Sequence, residues 1–313
     1  MRIFVAGATG AIGRRLVPML VRAGHEVTGT TRTPAKAEAV RAMGADPVVV
    51  DALDADAVMA AVGDAAPTVV VHQLTALSGP ASLRNFDRAF TGTNRLRTEG
   101  TRHLLTAARR AGARRFVVQS FTGWPNQRTG GPVKTELDPI DPHPTAASRE
   151  TVAALRSLES MVAEAADIEG VVLRYGLFYG PGTSLAPGGE VLELVRGRRL
   201  PVVGGGTGVW SFVHIDDAAQ ATLTACEGTA VGIYNVVDDD PAPVRVWLPY
   251  LAEAIGAKPP RRVPTWLVRP LLGEHGISMM TAVRGSSNAK ARRDLGWVPA
   301  YPSWRQGFRE ALD

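Results

Sequence analysis

Little in this chain of 313 residues is suited to covalent or metal cross-linking. Cys226 is the only cysteine, so no intrachain disulfide can form, which suits a reducing compartment. The six histidines, at 25, 72, 103, 143, 214 and 275, show no paired spacing with one another or with Cys226, and no metal site is expected. No apolar run approaches the roughly 18 residues needed to span a bilayer, so no membrane partner is expected. The opening residues, MRIFVAGATG, enter a strand at once, without the charged, apolar and cleavage regions of a secretory leader. A cytoplasmic location is therefore expected. Lysine is scarce, and positive charge is carried by arginine, in doublets such as Arg14–Arg15 and Arg292–Arg293 scattered along the chain. A nucleic-acid binder gathers its charge into one stripe; scattered doublets are solvated faces, and no nucleic-acid partner is expected at a net charge of +5. No nucleophile elbow is present.

What the chain does have is an alternation of two patterns. Residues 2–6, 26–30, 47–50, 68–72, 115–120 and 170–175 are short runs, rich in Val and Ile, that read as buried strands. Between them, helical patterns lie near 11–23, 34–43, 54–63, 85–111 and 146–166. Such alternation predicts an α/β fold with a doubly wound parallel sheet and helices on both faces. Residues 210–226 read as a strand followed by a helix, and 232–237 as a further strand, both returning to the main sheet. The expected organisation is a dinucleotide-binding domain over 1–175, completed by 210–237. A smaller C-terminal substrate-binding domain is expected from 176–209 and 238–313.

The turn Gly7-Ala8-Thr9-Gly10-Ala11-Ile12-Gly13 follows the first strand and opens the first helix. Gly7 permits a tight turn, Gly10 leaves room for a pyrophosphate, and Gly13 lets helix and strand approach closely. The helix N-terminus then meets the anion with its positive dipole end. In this strand–turn–helix context the pattern predicts a Rossmann dinucleotide site that includes Thr9, Ala11 and Ile12. The residues after the second strand choose the cofactor. An NAD site places Asp or Glu there; this chain reads Thr30-Thr31-Arg32-Thr33-Pro34, with no acid. Arg32 is expected to fork onto a 2′-phosphate beside Thr31, with Arg14 adding charge, so NADP(H) is preferred over NAD(H). Asp51, followed by Ala52, is assigned to the adenine end, with a helix-capping role as the alternative. The loop Gln73-Leu74-Thr75 is assigned to the nicotinamide end, beside His72 and Asn94.

Taken with these residues, GATGAIG, Gly100-Thr101-Arg102-His103-Leu104-Leu105, the turn from Leu173 to Gly182, Val213-His214-Ile215-Asp216-Asp217 and the tail NAKARRDLGW resemble the extended short-chain dehydrogenase/reductase superfamily, close to its epimerase/dehydratase group. By that resemblance Tyr175, Gly176 and Leu177 meet the cofactor. The family also carries Tyr-x-x-x-Lys, an acid/base pair, on the helix after the fifth strand. No tyrosine in this chain has lysine four residues on. Aligning Glu159 with the acid that follows that motif puts Thr151 at the tyrosine position and Leu155 at the lysine position. The chain thus resembles the atypical branch that lacks the pair.

The resemblance places catalytic hydroxyls after the fifth strand, so Ser120 and Thr122 are the candidate donors, with Thr151 a third and Ser120 also near the cofactor. Each is equally well read as capping local backbone. Trp124, Trp210 and Phe178 are candidates for an aromatic-binding wall. Three functions follow. The first is an NADPH-dependent ketoreductase acting on a small, aromatic or polyketide-like molecule in secondary metabolism. The others are a nucleotide-sugar epimerase or dehydratase, and a non-enzymatic NADP-sensing protein. The substrate's identity and the oligomeric state are left open.

Overall fold

The computed structural model describes residues 1–77 and 83–310. Seven strands form one parallel sheet: β1 (Arg2–Ala6), β2 (Glu26–Thr31), β3 (Asp46–Val49), β4 (Val69–His72), β5 (Arg115–Phe121), β6 (Glu169–Tyr175) and β7 (Gly232–Val236). Their order is β7-β6-β5-β4-β1-β2-β3. The chain runs outward from β1 to β3, then crosses back to lay β4 against the other side of β1. That reversal opens a crevice at the carboxyl ends of β1 and β4, where open α/β sheets bind ligands.

Alternate residues of the strands serve two cores. Ile3, Val5, Val69, Val71 and Val117 face α1 (Gly13–Arg22) and α7 (Ile215–Glu227). Phe4, Ala6, Val70, Phe116 and Val118 face α3 (Ala55–Ala65), α5 (Thr101–Arg110) and α6 (Arg149–Ala163). With apolar partners on both sides, the strands need no polar face, which is why they read as continuous apolar runs. No helix among the described residues is long and apolar enough to cross a membrane.

Two expectations are corrected. The periodic stretch 85–111 is not one helix. It is α4 (Phe86–Arg95) and α5 joined by a wider π-helical turn, Leu96–Gly100. Nor does the strand at Phe212–His214 enter the main sheet; it pairs with Leu177–Tyr179. The cause is the bend at Gly176, where a Cβ would sit 2.7 Å from the Ser211 carbonyl oxygen. This close approach takes 177–179 out of the sheet, and the Leu177 N–H donates to Ser211 instead. Residues 232–236 do join the sheet, beside β6. His214 caps α7, its Nδ1 accepting the Asp216 N–H. A separate core of Tyr179, Leu192, Trp247, Trp304 and Phe308 fills the C-terminal part, whose helical segment α8 (Thr265–Thr281) is broken by a kink at Gly273, where φ is +64°.

Candidate functional site

The glycine turn is built by backbone contacts that side chains would break. Gly7 has φ +99°, and a Cβ on it would lie 2.8 Å from the Gln73 carbonyl oxygen at the end of β4. Its N–H donates to Thr30 Oγ1 at 3.1 Å, tying the turn to β2. Gly13 packs still closer: a Cβ would overlap the Gly7 oxygen and meet the Ala8 carbonyl carbon at 2.6 Å. Gly10 differs. It is exposed, and a Cβ there would meet only the Gly7 oxygen, at 3.3 Å. The space over Gly10 is thus a cradle that a side chain would fill. α1 follows it directly, with the N–H groups of Arg14, Arg15 and Leu16 donated to the Gly10 and Ile12 carbonyls, so the cradle faces the positive end of the helix dipole. Thr9 is half-buried and Ala11 exposed along this turn, and Ile12 anchors it in the core. These residues fit the pyrophosphate of a dinucleotide.

At the end of β2, Thr31 is buried and its Oγ1 accepts the Thr33 N–H at 3.2 Å. This small turn sends Arg32 outward. Arg32 is exposed and has no hydrogen bond or ion pair among the described residues. Arg14 Nε donates to the Thr9 carbonyl at 2.8 Å, which holds its guanidinium beside the glycine turn. Asp51 Oδ1 accepts the Leu53 N–H, so it closes a local turn; the cap of α3 is Asp54, not Asp51. Ala52 is buried, its carbonyl bonded to His103 Nδ1. An unpaired guanidinium with no acid in the segment suits a 2′-phosphate. Arg32→Ala should weaken NADPH binding by about 10–100-fold, the loss of a charge-assisted pair, while leaving NADH within about 2-fold. Fluorescence titration of both dinucleotides checks this, and equal wild-type affinities would contradict it.

The other end of the crevice is shaped by His72. Its Nδ1 accepts the Leu74 N–H at 3.2 Å, so Nε2 carries the proton and donates to the Leu96 carbonyl at 3.3 Å, in the π-helical turn. Burial lowers its pKa to about 4, so the ring is neutral. This arrangement fixes the path of Gln73-Leu74-Thr75. Gln73 is buried, donates to the Tyr175 hydroxyl at 3.1 Å, and leaves its Oε1 without a partner among the described residues. An orphaned buried acceptor next to the glycine turn fits a ligand group such as a ribose hydroxyl or carboxamide N–H. Thr75 is exposed, and Leu74 half-buried. The Tyr175 hydroxyl also bonds Thr222 at 2.7 Å, beneath the turn at Gly176 and Leu177.

The three candidate hydroxyls all have internal acceptors. Ser120 donates to Glu159 Oε1 at 2.6 Å. Thr122 donates to Asn126 Oδ1 at 3.1 Å and contacts Ser286 Oγ at 2.6 Å. Thr151 donates to Asp87 Oδ1 at 2.6 Å, and its oxygen accepts from Asn94 at 3.1 Å. Each hydroxyl has one proton, so each would have to break a bond within the protein to donate to a ligand. Three tyrosine hydroxyls are likewise engaged: Tyr175 bonds Thr222, Tyr234 donates to the Val231 carbonyl and Tyr250 to the Arg305 carbonyl, while burial pushes the pKa values of Tyr175, Tyr179 and Tyr234 up.

The acceptors of Ser120 and Thr151 have no signal in the sequence, because they come from distant segments. Glu159 is gripped by Arg174 through Nε at 2.8 Å and Nη2 at 2.5 Å, both side chains being buried. Asp87 also takes the N–H groups of Glu150 and Thr151, fixing the start of α6. Trp124, Trp210 and Phe178 do not form one wall. Trp124 packs with Phe86 and Phe121, Trp210 with Trp247, and Phe178 with Tyr175. The six histidines form no metal cluster among the described residues.

The model of the NAD dependent epimerase/dehydratase family matches residues 3–236. A Streptomyces protein named 3-diazoavenalumate denitrifying reductase is 49% identical, over 98% of this chain and 99% of its own length. The 2-alkyl-3-oxoalkanoate reductase of Stenotrophomonas maltophilia is 28% identical, over 99% of this chain and 98% of its own. Among solved structures, the UDP-glucose 4-epimerase of Thermus thermophilus in complex with NAD superposes with a TM-score of 0.75. The two are 27% identical, over 99% of this chain and 97% of that one.

Proposed function

We propose, on the premise that the chain belongs to the NAD dependent epimerase/dehydratase family and is an NAD(P)-dependent oxidoreductase, that it uses NADPH to reduce a small aryl diazonium. A bound nicotinamide dinucleotide supplies a hydride. The glycine turn and Arg32 would hold that group, and Gln73 Oε1 offers an acceptor to it.

One observation carries the reading. The hydroxyls at the family's proton-donating positions are all donated to Glu159, Asn126 and Asp87. Hydride addition to a ketone makes an alkoxide, which needs a proton or a donor at once. An aryl diazonium needs neither. Ar–N2⁺ and hydride give Ar–H and dinitrogen, the two electrons coming from the reduced dinucleotide, which would be left as NADP⁺, and the C–N bond breaking to release the gas. A site without a free acid suits this acceptor. Further support comes from the 49% identical relative, whose name gives a diazo compound and a denitrifying reduction. Aryl diazonium ions, unlike alkyl ones, persist long enough to be bound.

Reduction of a carbonyl is the second reading, favoured by the relative named as an oxoalkanoate reductase. It requires Ser120 or Thr151 to release its carboxylate. Anaerobic NADPH oxidation separates the two. A hydroxyaryl diazonium should be turned over about 10-fold or more faster, in kcat/KM, than the aryl ketone of the same ring. A faster ketone would overturn the proposal.

A further inference from the structure

His275, on α8, is only 3% exposed, yet its Nε2 has no hydrogen-bond partner among the described residues. Its other nitrogen is tied down. Nδ1 lies 3.0 Å from Thr145 Oγ1, which lies 2.8 Å from Ser148 Oγ, which in turn donates to the Thr145 carbonyl at 3.2 Å. Only one assignment makes all three bonds. The Ser148 proton goes to the carbonyl, the Thr145 proton goes to Ser148, and Nδ1–H of His275 donates to Thr145. Nε2 is then a bare lone pair, an acceptor.

Around it is an aromatic cluster. The Phe86 ring is 4.3 Å from the imidazole and Trp124 5.7 Å, edge-on; Phe90 stacks on Phe86 at 4.3 Å, and Phe121 lies 5.9 Å from Trp124. Phe86 is buried, while Trp124, Phe90 and Phe121 are half-buried and so carry the exposed side of the cluster. It also adjoins the reaction end of the crevice, because Phe86 precedes Asp87, which holds Thr151 at the family's tyrosine position. Burial lowers the pKa of His275 to about 4, and the charges that face it are Asp87 and Arg128, so the ring stays a neutral acceptor in ordinary buffers. A buried acceptor without a partner is costly, and a ligand that completes it recovers that cost.

We infer that Nε2 of His275 accepts a hydrogen bond from a hydroxyl on the substrate's aromatic ring, which lies among Phe86, Phe121 and Trp124. The inference rests on the reading of an aromatic substrate given above, but its test does not depend on turnover. Binding of 4-hydroxycinnamate and 4-methoxycinnamate to the full chain is followed by tryptophan fluorescence. The methyl ether cannot donate and would set one acceptor against another. Wild type should prefer the hydroxyl compound by about 10-fold. His275→Phe should abolish the preference while leaving NADPH binding unchanged, and His275→Gln, which keeps an acceptor, should retain part of it. The inference is overturned if wild type shows no preference or binds neither compound, or if His275→Phe keeps the preference. Failure of the diazonium reading shows separately, as absent NADPH oxidation.

Discussion

Replacing Gly10 by Val should give a folded protein that has lost its dinucleotide, whereas replacing Gly13 by Ala should lose the fold. The two glycines sit three residues apart in one turn, but their surroundings are opposite. At Gly13 the added carbon would overlap the Gly7 oxygen and stand 2.6 Å from the Ala8 carbonyl carbon and oxygen. All are backbone atoms of the turn itself, and none can give way without separating α1 from β1. At Gly10 nothing lies nearer than the Gly7 oxygen at 3.3 Å, so the side chain projects into the cradle. There it would exclude a pyrophosphate from the helix N-terminus and from the charge-assisted hydrogen bonds offered at that end. NADPH and NADH affinity should both fall by about 100-fold or more, with the melting temperature close to wild type. A Gly10→Val protein that still binds either dinucleotide would place the cofactor elsewhere.

The second large effect is on stability. Glu159, on α6, faces β5 and β6, accepting from Nε and Nη2 of Arg174 and from Ser120. Both charged side chains are 7% exposed. Removing one member strands a buried charge, which costs about 3–5 kcal/mol, against roughly 1 kcal/mol for removing only the Ser120 hydroxyl. Arg174→Met should therefore lower Tm by roughly 5–15 °C, and adding Glu159→Leu should restore much of it, because the unpaired carboxylate is then gone. Ser120→Ala should lower Tm slightly and leave kcat within about 2-fold, since its proton serves Glu159 rather than the substrate. A fall in kcat of about 100-fold, the mark of a lost oxyanion donor, would return Ser120 to the chemistry.

The parts of this molecule that were legible in the sequence are local. The strand–turn–helix at Gly7 to Gly13 needs only neighbouring residues to declare itself, and β1, β4, β5 and β6 carry apolar runs, such as Val69–Val71 and Phe116–Val118, because both faces are covered. The π-helical turn at Leu96 was not legible, because one wide turn leaves the apolar spacing of 85–111 nearly unchanged, although it sets the carbonyl that His72 meets. The strand at Phe212–His214 has the same residue pattern whether it enters the main sheet or leaves it, and the choice is made at Gly176 by contact with Ser211. The acceptors of the candidate hydroxyls were hidden for a similar reason. Ser120 meets Glu159 from 39 residues away, Thr151 meets Asp87 from 64, and Thr145 meets His275 from 130. A hydroxyl's position can be read from a motif, but where its proton goes is decided by the tertiary fold.

The most direct test of the account is to follow the gas. A hydroxyaryl diazonium labelled with nitrogen-15 is mixed anaerobically with NADPH and the protein, and dinitrogen and NADPH are monitored together by mass spectrometry and absorbance. The account predicts one labelled dinitrogen released for each NADPH oxidised, with the parent phenol as product and neither change when Gly10→Val replaces wild type. Dinitrogen released without NADPH, or NADPH oxidised by the matched ketone while the diazonium remains intact, would contradict it.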